Sequence, residues 1–302
     1  MSKNYVNELS VIIRSVGERT ETLCIESVLC QGVSKDDLHI VKIAPFSRAL
    51  EDSFRLASRL NKEWTLCLDA DVILRPNSIH QLLEFSEKQN ANVFEIQGMV
   101  WDKFFGGPRP AGNHLYRTKY LNKALNFISH DPTILRPENH VLLKMKEIGF
   151  PWRQLKYCVG VHDFEQYNRD IFRKAMLHSV KHSNFFSLFL SHWSENSEDE
   201  DFIVSLDGFL FGLKQKNPIF CDMNTEIPKI DEKGEINTSE FNLNIVESVL
   251  KSKVNKHYLT ELARIGKIPN SMRLKGLVVV YRILKFLERK VQAKINKKLE
   301  KY

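Results

Sequence analysis

The 302 residues, 43% hydrophobic and 27% charged, supply enough apolar material to bury a core, which excludes a disordered or fibrous chain. Five scattered cysteines, Cys24, Cys30, Cys67, Cys158 and Cys221, form no Cys-x-x-Cys pair; this argues against a disulfide framework or zinc ribbon and for a reducing compartment. The formal charge of +7 is concentrated in residues 271–302, with ten Lys or Arg against two Glu, while the remainder holds 34 basic and 35 acidic residues, so no nucleic-acid-binding surface is expected on the body of the chain.

Leu9 to Arg14 reads as a buried strand that breaks by Gly17, and the segment after Glu18 as an amphipathic helix capped by Thr20 or Thr22. Leu38 to Ile43 is a second strand, and Phe46 to Leu60 a helix with Leu50, Phe54 and Ala57 on one face. Thr65 to Leu68 then forms a strand ending on Asp69 and Asp71. In extended chain, side chains i and i+2 point the same way, so both carboxylates are expected to face one site at a strand's carboxyl end, where open α/β sheets bind ligands. The plain alternative is a polar turn leading into Arg75-Pro76-Asn77. Ser78 to Glu87 supplies a helix and Val93 to Val100 a strand. Strand, helix, strand, helix, strand predicts an α/β fold with a mostly parallel, Rossmann-like sheet flanked by helices. Phe104 to Asn113, rich in Gly and Pro, is expected to be a mobile loop. His178 and His182 stand four apart in a basic segment expected to be a solvated helix. Ser194 to Asp201 reads as an acidic loop or helix cap, expected to be solvated, and residues 227–240 as a linker.

Leu9-Ser-Val-Ile-Ile, a helix, and then Cys67-Leu-Asp-Ala-Asp-Val resemble the nucleotide-binding half of GT-A glycosyltransferases, family 2 in particular. Gly112-Asn-His-Leu-Tyr-Arg, Pro137-Glu-Asn and Gly160-Val-His-Asp continue the similarity in the family's order, over about residues 8 to 180. The resemblance implies a metal-dependent, inverting transfer of a sugar from a nucleotide-diphosphate sugar to a hydroxyl. A Mn²⁺ or Mg²⁺ ion on Asp69, Asp71 and His162 would neutralise the leaving diphosphate; for His162 the alternative is a hydrogen-bonded loop histidine. Glu138, at a helix start, becomes the general base, with Asp163 as the fallback, because this chain carries Glu138-Asn139 where the family has Glu-Asp; Glu138 is otherwise a first-turn carboxylate stabilising its helix. Donor contacts are expected from Arg14, Glu18, Arg55, Asp69 and Asn113, with a surface ion pair the alternative for Arg14 and a solvated side chain the alternative for Arg55. His114 and Arg117 are further candidates for donor or acceptor contact.

Residues 1–183 are expected to form the GT-A-like catalytic domain, 184–270 a mainly helical region and 271–302 a basic amphipathic tail. In that tail Leu274, Leu277, Val278, Tyr281, Leu284 and Leu287 make a helical stripe, suited to an anionic membrane surface or to docking on protein. A sequence without a signal peptide or an apolar run near the ~18 residues of a membrane span is expected to be cytoplasmic, peripheral on the inner face of the cytoplasmic membrane. Its acceptor would then be a glycan or lipid-linked glycan of the surface polysaccharide or lipopolysaccharide type. The alternatives are a nucleotidyltransferase, for which one Gly in the loop after the first strand is a poor match, and a non-catalytic glycan- or membrane-binding protein.

Overall fold

The computed structural model describes residues 5–182, 185–215, 226–237 and 241–253. Cys221 and the tail at 271–302, with its expected membrane or protein contact, lie outside them.

The fold is α/β, with an eight-stranded sheet flanked by helices. The strands are β1 (Leu9–Arg14), β2 (Leu38–Val41), β3 (Trp64–Asp69), β4 (Val72–Leu74), β5 (Glu95–Asp102), β6 (Gly107–Pro110), β7 (Asn113–Arg117) and β8 (Trp152–His162). Their order is β2-β1-β3-β7-β5-β8-β4, with β6 also on β5. The long ladders, β1 with β3 and β5 with β8, are parallel, and the pairs made by β4, β6 and β7 are antiparallel. Helices α1 (Glu21–Leu29), α2 (Phe46–Leu60), α3 (Ser78–Glu87), the short α4 (Leu121–Ala124) and α5 (Pro137–Glu147) flank the strands, followed by α6 (Asn168–Lys181), α7 (Phe186–Glu195), α8 (Glu200–Lys214) and α9 (Leu243–Lys253). Among the described residues, no helix is long and apolar enough to cross a membrane.

The apolar residues that mark β1 and β3 fill opposite faces of the sheet because side chains alternate along a strand. Val11, Ile13, Leu66 and Leu68 pack with residues of α1 and α3, while Ile12 and Cys67 meet Leu50, Phe54 and Ala57 of α2 and Val141 and Met145 of α5. A third core joins Ile171 and Ala175 of α6 to Phe189, Trp193, Phe202 and Phe209 of the two helices that follow, with Phe104 and Phe105 inserted between them.

Phe104 to Asn113 therefore departs from the mobile loop expected. Gly107–Pro110 forms β6, antiparallel to β5, and both phenylalanines before it are buried. Pro108 and Pro110 are tolerated because β6 pairs only with β5, as prolines are on an edge strand. His178 and His182 are likewise buried, packed edge-on against Phe105 rather than solvated. The acidic stretch is only partly solvated. Asp199 caps α8 by accepting from the Asp201 amide at 3.0 Å, and Asp201 is buried beside Lys103 and Lys233. The described part of the linker has no regular structure, yet it is pinned: Arg19 donates to the Gly234 and Glu235 carbonyls, and Asn168 to that of Asp231.

Two glycines hold the sheet in register near the strand ends. A Cβ on Gly160 would stand 2.2 Å from the Ile73 carbonyl oxygen. Gly112, at φ +60°, would press one to 2.6 Å from Val72. Gly160→Ala must part β4 from β8, and is expected to cost about 1–3 kcal/mol or more, read as a lowered urea midpoint; an unchanged midpoint would mean the strands absorb the methyl group.

Candidate functional site

Three strand ends meet at one place. Arg14 and Asp69 are register partners across β1 and β3, Asp102 and His162 across β5 and β8, and His162 pairs with Val72, next to Asp71, across β8 and β4. The chain turns at Ala70 and Asp71, so the i, i+2 geometry expected for an extended segment is lost. Asp69 and Asp71 border the same cavity but face different partners.

Asp69 faces Arg14, whose Nε donates to its Oδ1 at 2.9 Å. The same guanidinium donates from Nη1 to Glu138 Oε1 at 2.7 Å and is covered by the Phe46 ring 4.8 Å away. Glu138 is buried and its oxygens are occupied, Oε1 by the Tyr116 hydroxyl at 2.6 Å and Oε2 by His114 Nε2 at 2.8 Å. His114 Nδ1 meets Glu95 at 2.7 Å. Burial would push His114 down, but Glu138 and Glu95 on its two ring nitrogens outweigh this and raise it to about 10. For Glu138, burial is outweighed by Arg14 and His114, which hold the carboxyl well below its usual range.

Asp71 faces the other way, toward His162, Asp163 and Lys174. Asp71, His162 and Asp163 each offer a ligand atom within 4.8 Å of the others, and all three are buried. Asp71 Oδ1 lies 3.4 Å from His162 Nε2 and, though buried, has no hydrogen-bond partner. His162 Nδ1 is held by Asp102 Oδ2 at 2.7 Å, and Asp102 by Arg109 Nε at 2.6 Å. Asp163 adopts φ +64°, a left-handed conformation that Asp tolerates better than most residues, and contacts His162 Nδ1 at 3.0 Å. Lys174, from α6, bridges Asp71 and Asp163. Desolvation opposes every charge here, yet Lys174 and His162 hold Asp71 well below its usual value, and the carboxylates hold His162 well above its own. Two carboxylates, an imidazole oriented through its far nitrogen and an orphaned buried oxygen suit a hard divalent cation. The set differs from the one expected from sequence: Asp163 joins Asp71 and His162, and Asp69 is engaged by Arg14.

The adjoining cavity, of about 550 Å³, is bordered by Arg14, Glu18, Asp69, Asp71, His130 and Lys174, with Pro45, Phe46 and Leu135 among its apolar walls. That volume falls in the range of pockets for small molecules. Glu18 is raised by burial and by Asp71, and accepts from the Ser15 hydroxyl and the Val16 amide, each at 2.8 Å.

Two expected donor contacts do not reach this cavity. Arg55 is exposed on α2 and pairs with Glu51 at 2.7 Å. Asn113 is buried, and its side chain replaces a missing ladder pair: Oδ1 accepts from the Gly98 amide at 2.8 Å and Nδ2 donates to the Gly98 carbonyl at 3.2 Å. Asp102 and Lys174 carried no motif; only the β5–β8 register and the packing of α6 bring them in.

In sequence, no family model and no curated protein matches the chain. Among solved structures, a glycosyltransferase involved in the glycosylation of the major capsid of PBCV-1 aligns over 50% of this chain and 82% of its own, at 15% identity and a TM-score of 0.36. The mannosyltransferase PcManGT from Pyrobaculum calidifontis, in complex with GDP-Man and Mn²⁺, aligns over 68% of this chain and 74% of its own, at 12% identity and a TM-score of 0.39.

The His114 pKa of about 10 has a consequence for stability. A folded pKa above the unfolded ~6.5 contributes stability that is complete below pH ~6.5 and is lost as pH rises toward the folded value. The melting temperature is therefore expected to fall between about pH 7 and 10, and His114→Gln should flatten that slope while lowering stability at pH 7. A variant that keeps the wild-type slope would place the titration elsewhere.

Proposed function

We propose that the protein transfers a sugar from a nucleotide-diphosphate sugar to a hydroxyl acceptor, with a divalent ion held by Asp71, His162 and Asp163. The observation that carries this reading is the orphaned Asp71 oxygen beside His162 and Asp163, on a residue that also borders a cavity of small-ligand size. Bound there, Mn²⁺ or Mg²⁺ would neutralise charge on the leaving diphosphate. Asp102, through its bond to His162 Nδ1, holds the ring so that Nε2 faces the ion's position. Arg14 and Glu18 border the donor's space.

Inverting transfer needs a carboxylate able to receive the acceptor's proton. Glu138 is the family-based candidate, but Arg14, Tyr116 and His114 already occupy it. In this reading Glu138 positions Arg14. Proton removal is given instead to Asp131, exposed at the cavity and, among the described residues, tied only to Thr133 through one carboxylate oxygen. Asp163, the other candidate base, serves the ion. The cytoplasmic location and the surface-glycan acceptor, including a lipid-linked one presented at the membrane, remain part of this reading and rest on the sequence alone.

Lys174 and a divalent ion claim the same carboxylates, so Lys174→Met should raise Mn²⁺ affinity by roughly ten-fold, the scale of one charge-assisted contact, in a Mn²⁺ titration followed by electron paramagnetic resonance. Weaker binding in that variant would show that the lysine supports the ion.

A thermal-shift screen of nucleotide sugars should find at least one whose stabilisation grows with Mn²⁺, and Asp71→Ala should abolish the increment; equal shifts in EDTA would refute the metal's part. With that donor, Asp131→Asn is expected to lower turnover about 100-fold or more while leaving donor affinity unchanged. Full turnover would return the base to Glu138.

A further inference from the structure

Beside the metal-ligand cluster stands a group of cations that the proposed chemistry does not use. Arg109 of β6, Arg136 at the start of α5 and Lys181 in the last turn of α6 gather around Phe105 and His182. The Arg109 guanidinium lies 4.1 Å from the Phe105 ring centroid, and the His182 ring stands edge-on to that phenylalanine at 5.2 Å. Arg136 Nη2 donates to His182 Nδ1 at 2.7 Å and to the Lys181 carbonyl at 3.3 Å. These contacts hold the Arg109 and Arg136 side chains and place the Lys181 backbone beside Arg136. His182 is pushed down to about 3, by burial and then by Arg136 and Arg109, so it accepts from Arg136 as a neutral ring.

Charge balance on the two sides of Asp102 is unequal. Asp102 is the carboxylate paired with Arg109, and it is shared with His162. Among the described residues no carboxylate pairs with Arg136 or Lys181. Lys181 is lowered to about 8, by burial first and then by Arg136 and Arg109; Arg136 is lowered by burial and by Arg109. Asp102 matches Arg109, and Asp69 and Glu138 act on Lys181 without pairing it, so the cations here outnumber their paired carboxylates; two guanidinium forks beside an ammonium match the several oxygens of a phosphoryl group. The three cations do not themselves line the cavity, but Arg136 and Lys181 adjoin residues that do. Pro137, next to Arg136, borders it, as does Leu177, one helical turn before Lys181.

We propose that Arg109, Arg136 and Lys181 form a phosphoryl-binding subsite on the α5–α6 side of the cavity, separate from the Asp71–His162–Asp163 cluster. The phosphoryl group has two sources, the donor's own phosphates or a phosphate carried by the acceptor. Naming either source rests on the sugar-transfer reading; the anion site itself does not.

The test is a calorimetric titration of the full chain with inorganic phosphate in EDTA, where no divalent ion can recruit the anion. Saturable binding is expected, weakened roughly ten-fold by Lys181→Met or Arg136→Gln, retained by Lys181→Arg and unaffected by Asp71→Ala. Absence of saturable binding overturns the subsite, as does binding that Asp71→Ala removes or that the two charge-removing variants leave unchanged. Repeating the titration with a nucleoside diphosphate and Mn²⁺ identifies the source. Simultaneous binding assigns the subsite to the acceptor, and mutual exclusion assigns it to the donor. If the nucleotide fails to bind at all, the sugar-transfer reading falls while the phosphate result in EDTA still decides the subsite.

Discussion

A guanidinium removed from water must be paired, and the burial of Arg14 constrains everything around it. Arg14 ends the strand shared by β2 and β3, so its charge is fixed at the carboxyl edge of the sheet. Asp69, its register partner, supplies one counter-charge and Glu138, 124 residues later, the other. Removing one partner from such a buried group typically costs about 3–5 kcal/mol, because the remaining charge keeps its desolvation penalty. The start of α5 is thereby tied to the first strand, and Tyr116 and His114 of β7 enter because Glu138 has further lone pairs to satisfy. The charged lining of the cavity is, in this sense, also part of the fold's internal structure.

A second balance operates a few residues away. Asp71, Asp102 and Asp163 bring three carboxylates together, opposed by Lys174, Arg109 and His162. With His162 protonated these charges sum to zero, which accounts for the stability of so buried a group. The same arithmetic limits what can enter. A divalent ion ligated by His162 Nε2 needs the ring neutral, and it competes with Lys174 for two oxygens. Lys174 lies on α6, which packs against α8 through Gly208 and Gly212; a Cβ on either would meet α6 backbone within 2.6 Å. The position of the lysine is thus set by helix packing remote from the carboxylates.

Much of the scaffold was readable from periodicity. Strands β1 and β3 and helices α2 and α3 fall where alternating or helical apolar patterns place them. Failures occurred where strand pairing overrode local preference. Gly107 to Pro110 carries breakers yet forms a strand, because an edge position needs few amide donors. Asn113 looks like a ligand contact in a motif, but it serves as a ladder pair where β6 gives way to β7 along β5. In the candidate site, Asp71 was legible as a carboxylate at a strand end, whereas His162, expected in a loop, ends β8. Asp163, expected as the fallback base, stands against His162 from a left-handed backbone that the sequence does not announce. Asp102, Lys174 and Arg109 had no local signal, for their partners lie up to 103 residues away.

The arrangement along α6 links these parts. Lys174, Leu177, His178 and Lys181 follow one another at helical spacing, so they lie along one side of the helix. Lys174 faces carboxylates, His178 packs against Phe105, and Lys181 stands among cations. A single helix face therefore passes from carboxylates matched by cations to a region rich in positive charge within about 11 Å of rise, at 1.5 Å per residue. Where water is excluded the field between them is little screened, since screening acts mainly on exposed charges. Phe105, packed against Arg109 and the two histidines, anchors the buried β5–β6 turn on α6, a task that its composition alone does not suggest.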